Sequence, residues 1–267
     1  MLDQVKTIIA VASGKGGVGK STTAVNLALA LQAEGSSVGL LDADIYGPSI
    51  SMMLGVPEGT RPESPDGKSF MPISAQGLKT MSMGYLVTAN TPMAWRGPMA
   101  AGALQQILEQ TRWGALDILV VDMPPGTGDI QLTLGQKAEV NGAVIVTTPQ
   151  DIALLDARKG IEMFTKVKIP VLGIVENMAV HTCSNCGHED SIFGAGGGQA
   201  VAREYGTQLL GSLPLDRSIR ERVDQGRPSV AAEPEGAIAQ RYREIALKIL
   251  DQLAILGSDS GPEIVFE

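Results

Sequence analysis

The chain is 267 residues long, 44% hydrophobic and carries a formal net charge of −8. A chain of that size and apolarity buries a full core rather than staying disordered, and its acidic balance excludes a sequence-independent nucleic-acid binder, which needs a concentrated basic surface. No run approaches the ~20 apolar residues of a membrane span and Met1-Leu2-Asp3-Gln4-Val5-Lys6 lacks the layout of a signal peptide, so a cytoplasmic protein without nucleic-acid or membrane partners is expected.

In chain order, the first short β-branched apolar run covers residues 7–12. Gly14-Lys15-Gly16-Gly17-Val18-Gly19-Lys20-Ser21-Thr22 follows and opens a helix expected over 20–34. The stretch satisfies G-x-x-x-x-G-K-[ST]. Its glycines let backbone N–H groups curl around phosphate oxygens, and the helix N-terminus adds positive potential. Lys20 supplies a point charge to the outer phosphates, and Ser21 offers a hydroxyl to Mg²⁺. Gly14 to Thr22 are therefore the expected ATP-binding residues. Lys15 is a cation the general motif does not need; it is either a solvated surface lysine or a second charge aimed at a nucleotide, like an arginine finger. This Lys-Gly-Gly-Val-Gly-Lys-Ser-Thr run resembles the deviant Walker A of the ParA/MinD/NifH/Mrp superfamily. The resemblance implies that Lys15 reaches the partner's phosphates across a nucleotide-sandwich homodimer, which makes hydrolysis depend on dimerisation.

A second strand, 37–41, runs into Asp42-Ala43-Asp44-Ile45-Tyr46-Gly47-Pro48-Ser49. Carboxylates at the C-terminal end of a parallel strand face the ligand crevice. Asp44 is the candidate to orient the attacking water, and Asp42 to support Mg²⁺ or the loop; turn or capping roles compete for both. Residues 57–84 break the pattern. Pro57, Pro62, Pro65 and Asp66-Gly67 mark turns, and 71–74 with 78–83 read as a small inserted hairpin.

A helix over 97–110 precedes the strand 117–121, where Ile118-Leu119-Val120-Val121-Asp122 has the form of a Walker B element with Asp122 as a Mg²⁺ ligand. Met123-Pro124-Pro125-Gly126-Thr127-Gly128-Asp129 suits a loop that follows the γ-phosphate, Asp129 acting in that switch or capping a helix over 128–137. Strands at 143–147, 170–175 and 208–213 alternate with helices at 152–166, 197–205 and 235–256. Strand runs that are apolar on successive residues suit a sheet buried on both faces. The expected fold is a doubly wound α/β domain over 1–256, with a mostly parallel sheet of P-loop NTPase type and a small hairpin insertion. A flexible tail is expected over 257–267. Asn177, after a strand, has an amide able to read an adenine edge, or is a turn residue. Pro214, with Leu215, offers the base an apolar wall.

Both cysteines lie in Cys183-Ser184-Asn185-Cys186, between His181 and His188. Two cysteines make no disulfide framework. Four readings stand: a redox pair, two unliganded thiols, a Zn²⁺ site within one chain completed by a histidine, or half of a four-thiolate site that two chains complete at a two-fold axis.

Four elements in order, Lys15–Thr22, Asp42–Ser49, Asp122–Asp129 and Asn177-Met178 leading to the C-x-x-C, are followed by Ile192-Phe193-Gly194 and Gly196-Gly197-Gly198. Together they resemble the Mrp/ApbC family of iron–sulfur cluster carrier P-loop ATPases over about residues 5–255. The resemblance implies a homodimer that holds a labile [4Fe–4S] cluster on Cys183 and Cys186 of both copies and slowly hydrolyses ATP with Mg²⁺. Such a protein takes clusters from an assembly scaffold to apo iron–sulfur proteins; Zn²⁺ is the expected substitute in aerobic preparations. Many members carry a small N-terminal domain. Here the first strand begins within ten residues of Met1, so either that domain is missing or the sequence is a piece of a longer chain. The main alternative is a ParA/MinD-type partitioning or positioning ATPase. A reductase like the nitrogenase iron protein is a third reading, although its cluster ligands sit singly in separate loops.

Overall fold

The computed structural model describes residues 2–86, 97–128, 131–132 and 139–259. Strand β1 (Val5–Ala12) is followed by helix α1 (Lys20–Ala33), β2 (Val38–Asp42), the single turn α2 (Ile50–Met53), and the pair β3 (Ile73–Ala75) and β4 (Leu78–Ser82). Then come α3 (Gly97–Gln110), β5 (Leu116–Asp122), β6 (Gly142–Thr147), α4 (Asp151–Lys166), β7 (Val171–Glu176), β8 (His181–Thr182) and β9 (Glu189–Asp190). The chain continues through α5 (Gly197–Glu204), β10 (Leu209–Ser212), α6 (Arg217–Asp224), α7 (Ser229–Ala232) and α8 (Ala237–Asp259).

Eight strands form one sheet in the order β10-β7-β6-β1-β5-β2-β4-β3, parallel except for the β3–β4 pair. The expected doubly wound sheet is present. The hairpin is not a separate appendage: β4 pairs in parallel with β2, so the insertion extends the main sheet. Alternation along β1 explains the two-sided burial. Ile9 and Val11 pack with α1 and α8 on one face, whereas Ile8 and Ala10 pack with α3 and α4 on the other. A clasp fastens the loop ahead of β3. Asp66 accepts from the backbone N–H groups of Lys68 and Ser69, the Ser69 hydroxyl and the Arg112 guanidinium, while Arg112 also donates to Ser69.

Of the helix expected over 128–137, Gln131 and Leu132 are helical and the remainder, Asp129 included, lies mostly outside the described residues. Gly257 to Asp259, read as the start of a flexible tail, continue α8; residues 260–267 lie outside the described residues. On the outer edge of the sheet, Lys248 Nζ donates to the carbonyl of Leu210 at 2.8 Å and the Arg241 guanidinium to that of Ser212 at 3.1 Å, so α8 covers β10 with its own cations.

Candidate active site and cysteine loop

The parallel strands deliver their C-terminal ends to one rim. β1 runs into the Gly14–Thr22 loop, and Asp42 of β2 stands in register with Asp122 of β5. The phosphate loop is tied at several points. The Ser13 hydroxyl donates to the Lys15 carbonyl, and Gly126 N–H of the Pro-rich loop donates to Ser13 O. At Gly14, a β-carbon would lie 2.1 Å from the Asp156 carbonyl oxygen, so α4 packs directly on the loop backbone. Lys15 is half-buried, and no ion pair to it is found among the described residues.

Lys20 is buried, and its ammonium meets Asp122 Oδ1 at 2.5 Å and the Ser21 hydroxyl at 3.1 Å. Asp122 is also fully buried, and its other carboxylate oxygen, Oδ2, has no hydrogen-bond partner. Burial pushes the Asp122 carboxyl above the ordinary carboxylate range, against the pull of Lys20 and the Ser21 hydroxyl. A buried, unpartnered carboxylate oxygen beside a serine hydroxyl is a donor set that fits Mg²⁺, a hard cation preferring oxygen ligands. The expected pair Ser21 and Asp122 thus stands together, with Lys20 joined to it.

Asp42 binds its own loop. Its carboxylate accepts from the N–H groups of Asp44, Ser49 and Ile50 and from the Ser82 hydroxyl, which leaves it a scaffold for the chain from Asp44 to Ile50. Burial, with Asp122 opposite, raises its pKa to about 7. Asp44 is half-buried on the loop that Asp42 fixes; it accepts from Gly47 N–H and adds negative potential at Asp122.

Asn177 is buried, and its amide is occupied by the protein itself. Nδ2 donates to the Val18 carbonyl of the phosphate loop at 2.9 Å, and Oδ1 accepts from Met178 N–H. Pro214 follows Leu213, whose N–H donates to Glu176 O and whose carbonyl accepts from Ala179 N–H, so Pro214 lies beside the Asn177 segment.

The cysteines are carried on a small antiparallel ladder, β8 against β9. Cys183 N–H donates to His188 O and Gly187 N–H to Cys183 O, closing the turn between them. Cys183 is half-buried and Cys186 exposed, both as free thiols. The N–H groups of Asn185 and Cys186, then the Cys186 thiol, hold the Cys183 thiol below its ordinary range, which favours the thiolate that binds metal. His181 faces the Leu215 carbonyl through Nδ1. Among the described residues, no cluster of three or more His, Cys, Asp or Glu side chains is placed to hold a metal ion. The single-chain Zn²⁺ reading accordingly finds no histidine in place beside the thiols.

Sequence reasoning missed the residues that brace these loops. Glu176, buried at the end of β7, accepts from Gly198 N–H at 2.6 Å and anchors the start of α5. Gln131 donates to the carbonyls of Pro124 and Pro125. Ser82 holds Asp42. Their partners lie several to forty residues away, and no local motif announces such pairs.

The chain matches the family described as "ParA: NUBPL iron-transfer P-loop NTPase" over residues 4–250. It is 64% identical over 246 residues to an iron–sulfur cluster carrier protein of Pseudomonas fragi, covering 92% of this chain and 86% of the relative. It is 62% identical over 265 residues to the iron–sulfur cluster carrier protein of Salmonella typhimurium, covering 99% of this chain and 72% of that one. Among solved structures, a nucleotide-binding protein of Archaeoglobus fulgidus in complex with ADP superposes with a TM-score of 0.76 at 40% identity, over 88% of this chain and 91% of that chain.

Proposed function

The chain belongs to the NUBPL-type iron-transfer P-loop NTPases, the family of the iron–sulfur cluster carrier proteins, and from that premise we propose that it works as a cytoplasmic homodimeric ATPase. Its cargo is a [4Fe–4S] cluster held between the Cys183–Cys186 loops of two copies, loaded from an assembly scaffold and passed to apo iron–sulfur proteins. The observation that carries this reading is the free thiol pair, Cys183 half-buried and Cys186 exposed: two thiolates are half of a four-thiolate site, and a second copy supplies the other half.

In the ATPase step, backbone N–H groups from Gly14 to Thr22 hold the phosphates and Lys20 exchanges Asp122 for the outer phosphate oxygens. Ser21 and Asp122 hold Mg²⁺, which when bound neutralises charge on the transferring phosphoryl group. Asp44, on the loop fixed by Asp42, orients a water for in-line attack, so that the γ-phosphorus gains the water oxygen and the bond to ADP breaks. Lys15 reaches the phosphates of the partner's nucleotide and adds charge there in the transition state. Pro214 offers the adenine an apolar wall, and the Asn177 segment lies beside it with its amide committed to Val18 O and Met178 N–H. Zn²⁺ competes for the thiolates in air, since soft thiolate ligands take both metals.

The partitioning or positioning alternative needs a free basic surface for DNA or a membrane. Arg241, Arg243 and Lys248 of the last helix are instead spent on Ser212 O, Glu34 and Leu210 O, and no helix among the described residues is long and apolar enough to cross a membrane.

Anaerobic reconstitution with iron and sulfide tests the proposal. The expected product carries about four iron and about four sulfide per pair of chains, with visible absorbance lost in Cys183→Ser and Cys186→Ser. Absorbance that survives both substitutions, or none in the unsubstituted chain, overturns it.

A further inference from the structure

The segment between the phosphate loop and the cysteines is short and continuously bonded. Asn177 follows directly on β7, with its backbone N–H on Thr147 O at 2.7 Å and its side-chain amide on Val18 O at 2.9 Å. The contact is close: a β-carbon at Gly19 would come within 2.2 Å of Asn177 Nδ2. Met178 then turns the chain at φ +56°. From there each step is held by backbone bonds: Ala179 N–H to Leu213 O, Leu215 N–H to Val180 O, the β8–β9 ladder, and Cys183 N–H to His188 O. The far end of the cysteine excursion returns to the same strand end, where Gly198 N–H meets the Glu176 carboxylate. Both ends of the excursion are therefore fastened at residues 176–177, and one of those fasteners is the phosphate loop itself.

We propose that Asn177 is a positioning residue that couples occupancy of the phosphate loop to the order of the Cys183–Cys186 loop. The inference rests on reading the first loop as the nucleotide site and the second as the cargo site. A bound phosphate recruits the N–H groups around Val18 and Gly19 and fixes the Val18 carbonyl. The amide of Asn177 passes that restraint to Met178, and the ladder carries it six residues along the chain to Cys183. Linkage makes the effect reciprocal, so a cluster on the thiols tightens nucleotide binding by the same factor.

The test uses the full chain without cluster, bound to ADP, at a dilution where it is monomeric by light scattering, so that dimer formation does not shield the thiols. Each variant is compared at an ADP concentration that saturates it. In the unsubstituted chain, ADP slows both amide hydrogen exchange over 179–190 and alkylation of Cys183 by about fivefold or more. In Asn177→Ala, with ADP bound, both rates return to within about 1.5-fold of their ADP-free values. Met178→Val keeps the Asn177 side chain and its Val18 contact but opposes the left-handed turn at φ +56°; a reduced ADP response there supports the coupling even if Asn177→Ala fails to fold. The proposal is overturned if ADP leaves the unsubstituted rates unchanged, if Asn177→Ala keeps the full response, or if Met178→Val, standing in for an unfolded Asn177→Ala, responds fully. Because no cluster is present, these outcomes are independent of whether reconstitution succeeds.

Discussion

Gly19 carries two constraints at once. Its backbone sits at φ +83°, and the space its β-carbon would fill is taken by the Asn177 amide 2.2 Å away. Gly19→Ala therefore meets backbone strain of about 1–2 kcal/mol together with a collision, and the collision falls on the contact that fixes Val18. The expected outcome is a lower urea midpoint and an ADP affinity weakened by about tenfold or more, read by denaturation and by calorimetric titration. An affinity unchanged within twofold would mean that the loop re-forms without this contact. The motif from Gly14 to Thr22 was legible because every part of it lies within nine consecutive residues. The bond from Asn177 to Val18 spans 159 positions of sequence, and no spacing rule reaches that far. Asp42 is the same kind of case. Its place at a strand end was readable, but its commitment to Ser82 depended on where β4 would lie.

At the scale of elements, the strands were readable because burial on both faces leaves unbroken apolar runs, as in Val120-Val121 of β5 and residues 143–146 of β6. Shorter pieces give no period to detect: α2 and α7 are single turns, and β8 and β9 have two residues each. α6 holds only Ile219 and Val223 buried, behind an Asp216 cap that accepts from Ser218 N–H. The Asp66 clasp is an element-scale device that ties the loop before β3 to the end of α3. Four donors hold the Asp66 carboxyl well below the ordinary carboxylate range, the N–H groups of Lys68 and Ser69 foremost. Its folded pKa is depressed below the unfolded value of 3.8, so its contribution is present above that value and is lost as pH falls through it toward the folded pKa. Asp66→Asn should therefore lower the urea midpoint near neutral pH, with the difference from the unsubstituted chain narrowing below about pH 4. A gap that stays constant into acid would assign the clasp to geometry rather than charge.

For the whole molecule, the proposed cargo site predicts a change of mass. Loading with iron and sulfide should convert the chain to a dimer by light scattering, and Cys186→Ser should stay monomeric under the same loading, since each copy then offers one thiolate of the pair. A loaded monomer would place the cluster within a single chain.

The cover over β10 bears on how copies meet. A parallel sheet normally ends in a row of unpaired carbonyls that invites another strand, and with it fibres or swapped edges. Here Lys248 and Arg241 already occupy two of those carbonyls, and at the opposite margin β3 is three residues long. With two carbonyls of one margin occupied and the other margin truncated, zipping together strand by strand is disfavoured as a mode of self-association. Crowded copies of this chain should stay colloidally well behaved, and the proposed pairing of copies would fall to the rim of loops.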